Sequence, residues 1–489
     1  MGTFEDLRRL TKHSLIYGVG HILSRGISFL LLPLYTNVLS PAEYGIVALV
    51  FTFIAFMNIL FLYGLDSAFL RFYALEKGPN EKKKILATTM SMTALTSVSL
   101  FLLLFLSCEP LSRLILGRPG TDSLLKMASG IIFFDTLSTF PYLLLRLEEK
   151  STKFISYRLV NVLLTLGLNI FLVAYLKKGV YGVFLSNLIA SAFILAILLP
   201  IIWQRVAPAW SGFLVKELLK FGLPFIPAGL ASMSMELIDR YMLRHMKDLE
   251  VVGVYNAGYK LGLFMLLVVM AFKFAWQPFF LGLGGEETRA KKNFAAVLTY
   301  FLLVTSFLLL MVSFFVDDLV RLGFFGVTIF GPEFWSGTQV VPVILMAHVM
   351  MGLYLIFLPG IYLRKKTKFI PLFTGVGAVV NILGNFLLIP RWGMQGAAWA
   401  TFLGYFAMAF ALYVTVQRFY PVRYQFGRAA KVIFISTLVF VTWRWLARSI
   451  SVRILLLVVG YPLGLVLTGF FSRAEWQGLR NTLGLRRDG

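Results

Sequence analysis

Ionisable side chains stand inside several long apolar runs of this 489-residue chain, where a charge is costly. Placing one at membrane depth costs about 3 kcal/mol on insertion scales, so each indicates a functional site or a buried ion pair. Most fall in the first, second, seventh and eighth apolar runs, and this clustering predicts one shared polar cavity. These residues are Arg25, Asp66, Arg71, Glu236, Asp239, Arg240, Lys260 and Lys273.

The balance of charge in these four runs predicts the chemistry of the cavity. Five basic residues stand against three carboxylates, which gives a mildly cationic space. Arg and Lys make charge-assisted hydrogen bonds to phosphate oxygens, so a phosphate-bearing ligand suits the cavity better than a lipophilic cation. The candidate substrate-binding residues are Arg25, Arg240, Lys260 and Lys273.

Two of these basic residues stand deep in their runs. Arg25 is about eleven residues into the first run, roughly 16 Å along a helix. It therefore either meets an anionic ligand or pairs with a carboxylate such as Asp135 or Asp66. Lys260 follows Asn256 by one helical turn, and this polar strip favours cavity lining.

The other charged positions have structural explanations as well. Glu236 and Arg240 are spaced i, i+4, so they can form an ion pair along one helix face. Lys273 is close enough to the end of its run for the ammonium group to reach the interface. His348 stands among Met and Ala residues, where a hydrogen-bonded core histidine is the alternative to a proton relay.

Four carboxylates are candidates for coupling to an ion gradient or for buried ion pairs. Asp135 stands near the middle of a run that contains Pro141, which suits a proton or cation site. Transport would then be driven by H⁺ or Na⁺. The four are Asp66, Asp135, Glu236 and Asp239.

The composition predicts an integral membrane protein that is all-α. The chain is 58% hydrophobic and 14% charged, with a mean hydropathy of +0.81, whereas soluble domains are roughly a quarter charged. The alternating pattern of barrel strands is absent, so the apolar runs are expected to be helices. The net charge of +23 is scattered between these runs, which argues against a nucleic-acid partner. One cysteine, Cys108, and four histidines form no metal motif, and no cofactor is expected.

Apolar runs between charged or Gly/Pro breaks predict about fourteen transmembrane helices. The predicted spans are 14–36, 43–69, 85–107, 123–145, 154–176, 180–202, 221–243, 251–281, 293–316, 336–362, 369–389, 393–416, 431–447 and 454–471. One set of alternate loops and ends holds 29 Lys and Arg, and the other holds 11. Since basic loops stay on the cytoplasmic side, both termini are predicted to be cytoplasmic in a multi-pass protein of the cytoplasmic (inner) membrane.

An internal duplication is indicated by two similar segments. Residues 161–193 and 381–411 each contain an Asn-bearing apolar stretch, a short basic turn and a GxxG motif, at an offset of 214 residues. A weaker match relates 17–26 to 221–230. These parallels predict two six-helix lobes plus two C-terminal helices: an N-lobe at 1–203, a C-lobe at 204–416, and 417–489 with the last two helices and a cytoplasmic tail.

Two segments near the start of the chain resemble a known family of exporters. LIYGVGHILSRGISFLLLPLYTNVLSPAEYGIVALV (15–50) and FLYGLDSAFLRFY (61–73), with the duplicated fourteen-span plan, resemble the polysaccharide and O-antigen flippases of the multidrug/oligosaccharidyl-lipid/polysaccharide exporter superfamily. The resemblance implies alternating access around a central cavity lined by helices 1, 2, 7 and 8. It also implies a polyprenyl-pyrophosphate-linked oligosaccharide substrate, moved from the cytoplasmic to the outer leaflet. Ser24-Arg25 is similar to a Ser-Arg pair in helix 1 of the related lipid II flippases.

The predicted function is therefore that of a flippase for cell-surface polysaccharide biosynthesis, and not of an enzyme. Its predicted partners are the membrane lipids and polysaccharide polymerase or assembly proteins. Arg25, with Lys260 and Arg240, would neutralise the pyrophosphate. A drug or cation exporter of the same superfamily is the alternative, and it would need carboxylates to dominate the cavity. A polysaccharide polymerase would need catalytic residues on a long outside loop. The longest such loop, 317–335, has only Asp317, Asp318, Arg321 and Glu333 as charged groups, and its apolar stretch LGFFGVTIFG suggests a re-entrant or interfacial segment.

Overall fold

The predicted all-α membrane architecture is confirmed. The computed structural model describes residues 29–118, 120–203, 210–283, 286–324, 327–446, 449–471 and 475. Within this part of the chain, 13 helices are long and apolar enough to cross a membrane, and each coincides with one predicted span. The remaining span, 14–36, lies mostly outside the described residues, which enter it at the short helix Phe29–Val38.

We number the helices α1 to α18 in chain order. The first eight are α1 Phe29–Val38, α2 Pro41–Leu62, α3 Leu65–Leu75, α4 Pro79–Leu106, α5 Cys108–Leu116, α6 Asp122–Leu147, α7 Ser151–Tyr175 and α8 Gly179–Trp203. The next eight are α9 Gly212–Gly222, α10 Phe225–Met246, α11 Leu249–Gly282, α12 Glu287–Arg321, α13 Val341–Phe357, α14 Pro359–Leu363, α15 Ile370–Trp392 and α16 Met394–Gln417. The last two are α17 Phe426–Leu446 and α18 Ile450–Leu467.

Local sequence signals set where the two central helices begin. At α2, the Ser40 hydroxyl accepts a hydrogen bond from the Glu43 N–H, and the Glu43 carboxylate accepts one from the Ser40 N–H. This reciprocal capping satisfies two backbone donors that a helix start leaves unpaired. At α11, the Asp248 carboxylate accepts from the Val251 N–H at 2.8 Å. Both helices therefore start at a defined residue.

The predicted second span, 43–69, is wrong at its end. The helix α2 stops at Leu62 because Tyr63 and Gly64 adopt left-handed conformations, with φ of 34° and 77°. A left-handed residue ends a helix, and glycine adopts this conformation without steric cost. The chain then begins a separate helix, α3, and Asp66 lies in its first turn rather than in the spanning helix.

A second break divides the predicted seventh span, 221–243. The helix α9 ends at Gly222, and α10 starts at Phe225 after Pro224, which has no N–H to continue the preceding helix. The short helices α3 and α9 pack against each other. The two breaks therefore bring Gly64 and Gly222 together at one end of the bundle.

The helices pack in two groups that meet at α2. We use "N-lobe" for α1–α8 and "C-lobe" for α9–α16. Within the N-lobe α6 packs against α4 and α8, and within the C-lobe α16 packs against α13 and α15. The helix α2 crosses the boundary and packs against α10 and α11. The relation of the lobes as copies of one repeat stays a prediction.

The two GxxG motifs form the same kind of turn in each lobe. Gly179 and Gly393 have φ of 55° and 54°, a region that favours glycine. A Cβ on Gly182 would lie 3.0 Å from the Leu172 carbonyl oxygen, and one on Gly396 would lie 2.3 Å from that of Leu388. In each motif the first glycine makes the turn and the second lets two successive helices approach.

The described residues of the segment 317–335 contact the end of α1. After α12, the strands β1 Gly323–Phe324 and β2 Val327–Thr328 form a small antiparallel hairpin, followed by a 3₁₀ helix at Pro332–Val340. The Asn37 side chain donates to the Thr328 carbonyl oxygen at 2.8 Å, and Phe334 is buried. The segment thus packs on α1.

The C-terminal helices α17 and α18 pack against α12 of the C-lobe. Arg453 of α18 donates to the Phe314 carbonyl oxygen at 3.0 Å and forms an ion pair with Asp318. Arg428 forms an ion pair with Glu475 at 2.9 Å. These contacts attach the last two helices to the outside of the C-lobe, away from α2.

Candidate functional site

A cavity of about 400 Å³ lies where the two lobes meet. Its walls come from α1, α2, α6, α7 and α8 of the N-lobe and from α10 and α11 of the C-lobe. All four helices that the sequence predicts to share a polar space contribute to it. Its polar lining residues include Asp135, Arg158, Asn161, Glu236, Asn256 and Lys260.

Glycine allows the lobes to touch beside this cavity at the end where α2 and α11 begin, which we call the far end. A Cβ on Gly45 would lie 2.1 Å from the Leu249 carbonyl oxygen. One on Gly253 would lie 1.9 Å from the Pro41 carbonyl oxygen. No side chain fits at either position without a shift of the backbone, so the helices are in direct backbone contact.

A third close approach lies at the opposite end, which we call the basic end because the Lys- and Arg-rich loops 76–84, 146–153 and 364–368 lie there. A Cβ on Gly64 would lie 2.1 Å from the Gly222 carbonyl oxygen. The lobes therefore meet on both sides of the cavity.

Lys260 places a positive charge in the cavity wall. It lies on α11 about 16 Å from the helix start, near mid-membrane depth, and its side chain is half-buried. The ammonium nitrogen is 5.6 Å from the centroid of the Tyr44 ring on α2. Asn256, one turn earlier, lines the same cavity, as the sequence predicts. Among the described residues Lys260 is in no ion pair, so its charge is open to a ligand.

Arg240 also reaches the cavity, but its charge is balanced inside the C-lobe. Its Nη1 is 2.6 Å from the Asp239 Oδ1, and both side chains are buried. The guanidinium carbon lies 4.1 Å from the centroid of the Tyr259 ring, and the Tyr255 hydroxyl donates to the second Asp239 oxygen. The expected ion pair with Glu236 is not formed, because the guanidinium bends to the neighbouring Asp239 and Glu236 contributes only its carbonyl oxygen.

Two carboxylates face the cavity from opposite lobes. Glu236 lines it from α10 and Asp135 from α6, and both are half-buried. Ser191 and Arg158 both interact with the Asp135 carboxylate. The charge of Arg240 is balanced by Asp239. The other charged side chains of the described part of the cavity are therefore the cations Lys260 and Arg158 and these two carboxylates.

Arg158 is the residue that the sequence reasoning missed. It stands four residues inside the predicted span 154–176, close enough to the boundary to be read as interfacial. Its α7 helix begins at Ser151, so the charge lies about 10 Å along the helix and lines the cavity. A basic residue one turn inside a span, followed one turn later by Asn161, was the available signal.

The remaining predicted residues are not brought together here. Lys273 is exposed on α11 and Asp66 lies on α3, and neither lines the cavity. His348 is buried in the C-lobe, where its Nδ1 is 2.9 Å from the Ile344 carbonyl oxygen. Arg25 lies outside the described residues. Among those described, no cluster of three or more His, Cys, Asp or Glu could hold a metal ion.

Comparison with known proteins gives matches that cover most of the chain. An uncharacterized membrane protein of Methanocaldococcus jannaschii is 21% identical over 420 residues, 80% of each chain. The lipid II flippase MurJ in an inward closed conformation is 17% identical with a TM-score of 0.73, covering 94% of this chain and 98% of that one. An inward-facing multidrug resistance transporter of the MATE family is 12% identical with a TM-score of 0.68, covering 85% and 96%. At these identities the structural similarity establishes the fold.

The N-lobe and the first helices of the C-lobe match a family defined by sequence. The model of that family, described as polysaccharide biosynthesis protein, matches residues 10–282, more than half of the chain, and this range includes every cavity residue named above. The chain therefore belongs to the polysaccharide biosynthesis protein family.

Proposed function

We propose that this protein translocates an oligosaccharide linked to polyprenyl pyrophosphate across the cytoplasmic membrane by alternating access, for cell-surface polysaccharide biosynthesis. The observation that carries the proposal is the half-buried Lys260 ammonium, which faces the cavity between the lobes without an ion-pair partner among the described residues. Placing an uncompensated charge at this depth is costly unless an anionic ligand uses it.

The cavity fits a polar headgroup rather than a whole lipid. Its volume of about 400 Å³ lies in the range of ordinary ligand pockets, roughly 300–1,000 Å³. Its polar lining suits phosphate and sugar hydroxyls. The polyprenyl chain stays in the bilayer, since moving it into water costs about 0.8 kcal/mol for each CH₂ group.

In this mechanism Lys260 neutralises the pyrophosphate together with Arg25, and Arg240 supports the cavity wall through its pair with Asp239. The glycine contacts at the far end and the basic end then open in turn. The return step is driven by H⁺ or Na⁺, with Asp135 and Glu236 as the carboxylates that face the cavity. The exported units pass to the polysaccharide polymerase and assembly proteins.

Membrane orientation follows the distribution of basic residues, with both termini in the cytoplasm. A reporter that is active only in the cytoplasm, fused after the last residue, should be active. The same reporter inserted at 177–178, between α7 and α8, should be inactive. The reverse pattern would contradict the orientation.

A matched pair of variants on α11 tests the function. In a strain that lacks the protein, lipid-linked single repeat units should accumulate in the inner leaflet, and the wild-type gene should restore surface polysaccharide. Lys260→Gln should lower the restored amount about ten- to hundredfold, since a charge-assisted hydrogen bond contributes about 1.5–3 kcal/mol. Lys273→Gln changes the same residue type at an exposed position of the same helix and should restore wild-type levels. Full restoration by Lys260→Gln, at equal membrane abundance, would refute the role of this lysine.

A drug or cation exporter is the second candidate, and it is favoured by the two cavity carboxylates Asp135 and Glu236. Expression of the protein should then protect a drug-sensitive strain against lipophilic cations. Glu236→Gln should abolish that protection and leave surface polysaccharide unchanged. Our proposal predicts no protection by the wild-type protein.

A further inference from the structure

The position of Arg158 suggests a role in binding. The residue projects from α7 of the N-lobe into the cavity that Lys260 reaches from the C-lobe. A guanidinium group is costly to desolvate, and it is retained where planar, bidentate recognition of carboxylate or phosphate is needed. The residues around Arg158 show whether a protein group already pairs with its guanidinium group.

Two aromatic rings lie close to the guanidinium group of Arg158. Its central carbon lies 4.1 Å from the centroid of the Tyr142 ring and 5.7 Å from that of Phe154. A cation close to an aromatic ring is attracted by the ring's quadrupole, and this contact uses no conventional hydrogen-bond acceptor. The ring contacts therefore restrain Arg158, while its N–H groups donate no hydrogen bond to a side chain among the described residues.

The nearest opposite charge does not occupy these donors. The Asp135 carboxylate interacts with Arg158 electrostatically, yet the two form no salt bridge. No other described residue forms an ion pair or a side-chain hydrogen bond with Arg158. Arg240 differs in this respect, because its guanidinium group forms an ion pair with Asp239. Of the two arginines that line the described cavity, only Arg158 has a guanidinium group without a hydrogen-bond partner among the described residues.

We propose that Arg158 is an anion-binding residue of this cavity. Its guanidinium group donates hydrogen bonds to phosphate oxygens of the transported headgroup, and these replace its long-range interaction with Asp135. The inference rests on the proposed function and adds a recognition residue in the N-lobe to Lys260 in the C-lobe. A diphosphate held by both residues contacts both lobes, so its binding stabilises the arrangement in which they are closed. Asp135 opposes the anion and thereby limits its affinity.

Binding of farnesyl pyrophosphate to the purified full chain tests this assignment, with farnesol as the uncharged comparison. Calorimetry in detergent gives the dissociation constants. Arg158→Gln should weaken binding about tenfold or more, because a charged hydrogen-bonding group is lost. Arg158→Lys should retain part of the affinity, since it keeps the charge without the bidentate geometry. Lys153→Gln, an exposed cation on the same helix, should bind as the wild type does.

The reciprocal variant gives a result that a purely structural arginine would not produce. Asp135→Asn removes the competing carboxylate and should tighten pyrophosphate binding about threefold or more, with no effect on farnesol. Wild-type affinity in Arg158→Gln, unchanged or weaker affinity in Asp135→Asn, or no pyrophosphate-dependent binding by the wild type would each overturn the proposal. If Arg158→Gln does not fold, the Asp135→Asn result decides.

The two proposals fail separately. If pyrophosphate binds through Arg158 but deletion of the protein leaves the lipid-linked units in their normal leaflet, the proposed function falls and the anion site stands. If the deletion blocks translocation but Arg158→Gln binds normally, only the assignment of Arg158 falls.

Discussion

Replacing Gly253 by alanine should force the far end of the cavity open. The added Cβ would lie 1.9 Å from the Pro41 carbonyl oxygen, and Gly45 N is only 3.0 Å from the same position. An ordinary contact between these atoms needs more than 3 Å, so α2 and α11 must separate by about 1 Å. Both neighbours are backbone atoms, which cannot rotate away as a side chain can.

The size of the effect follows from the cost of overpacking. Inserting a methyl group into a closely packed contact costs typically about 1–3 kcal/mol. Here the cost applies only while the far end is closed, because the clash disappears when the lobes part. The equilibrium should therefore shift toward opening at that end by about five- to 150-fold.

Cysteine labelling measures the shift. Asn256 lines the cavity one turn from Gly253, so Asn256→Cys, in a chain whose single cysteine Cys108 is changed to serine, reports access to the cavity. In sealed vesicles a membrane-impermeant maleimide should label this reporter at least fivefold faster in Gly253→Ala, and from one side of the membrane only. Gly282→Ala, on the same helix as Gly253, is the control, since a Cβ there meets no described atom within 4 Å. Equal labelling rates in Gly253→Ala and Gly282→Ala would refute the view that this contact closes the cavity.

Two further predictions concern the glycine contact at the basic end and the buried ion pair of Arg240. Gly64→Ala should speed labelling of the cysteine reporter from the other side of the membrane, because the added Cβ would lie 2.1 Å from the Gly222 carbonyl oxygen. Gly120→Ala is the control, since Gly120 has the same φ of 77° but a Cβ there meets no described atom within 4 Å, and it should leave labelling unchanged. Asp239→Asn leaves the buried Arg240 charge uncompensated and should lower the free energy of unfolding by about 3–5 kcal/mol, read as a fall in the thermal unfolding temperature. Asp122→Asn, at a solvent-accessible ion pair, should change that temperature little, and equal falls in both variants would contradict the prediction.

Apolar run length predicts the spanning helices because lipid leaves the backbone few alternatives. All the predicted spans after the first match helices of the structure, and the short helix after α2 was the main error. The chain from 43 to 69 is apolar apart from a few polar residues and the charged Glu43 and Asp66, so hydropathy carries no sign that Tyr63 and Gly64 turn left-handed. That break depends on φ values set by packing against α9, which a hydropathy pattern does not contain.

The candidate site could be predicted in part. Depth in a span identified Lys260, Glu236 and Asp135, which line one cavity in the structure. The partner of Arg240 was mispredicted because helix spacing favours i, i+4 pairs, whereas the side chain bends back to the adjacent Asp239 between two tyrosine rings. Such a choice is made by tertiary packing. Arg158 was missed because one turn of depth does not separate an interfacial arginine from one that faces a cavity.

Leaflet-resolved transport by the purified protein tests the central claim most directly. Vesicles containing the full chain would carry a fluorescent oligosaccharide on polyprenyl pyrophosphate in one leaflet, and a membrane-impermeant quencher would report its appearance in the other. Our account predicts protein-dependent loss of fluorescence that Lys260→Gln slows about tenfold or more and Lys273→Gln does not. Equal rates in protein-containing and protein-free vesicles, under either a proton or a sodium gradient, would contradict it.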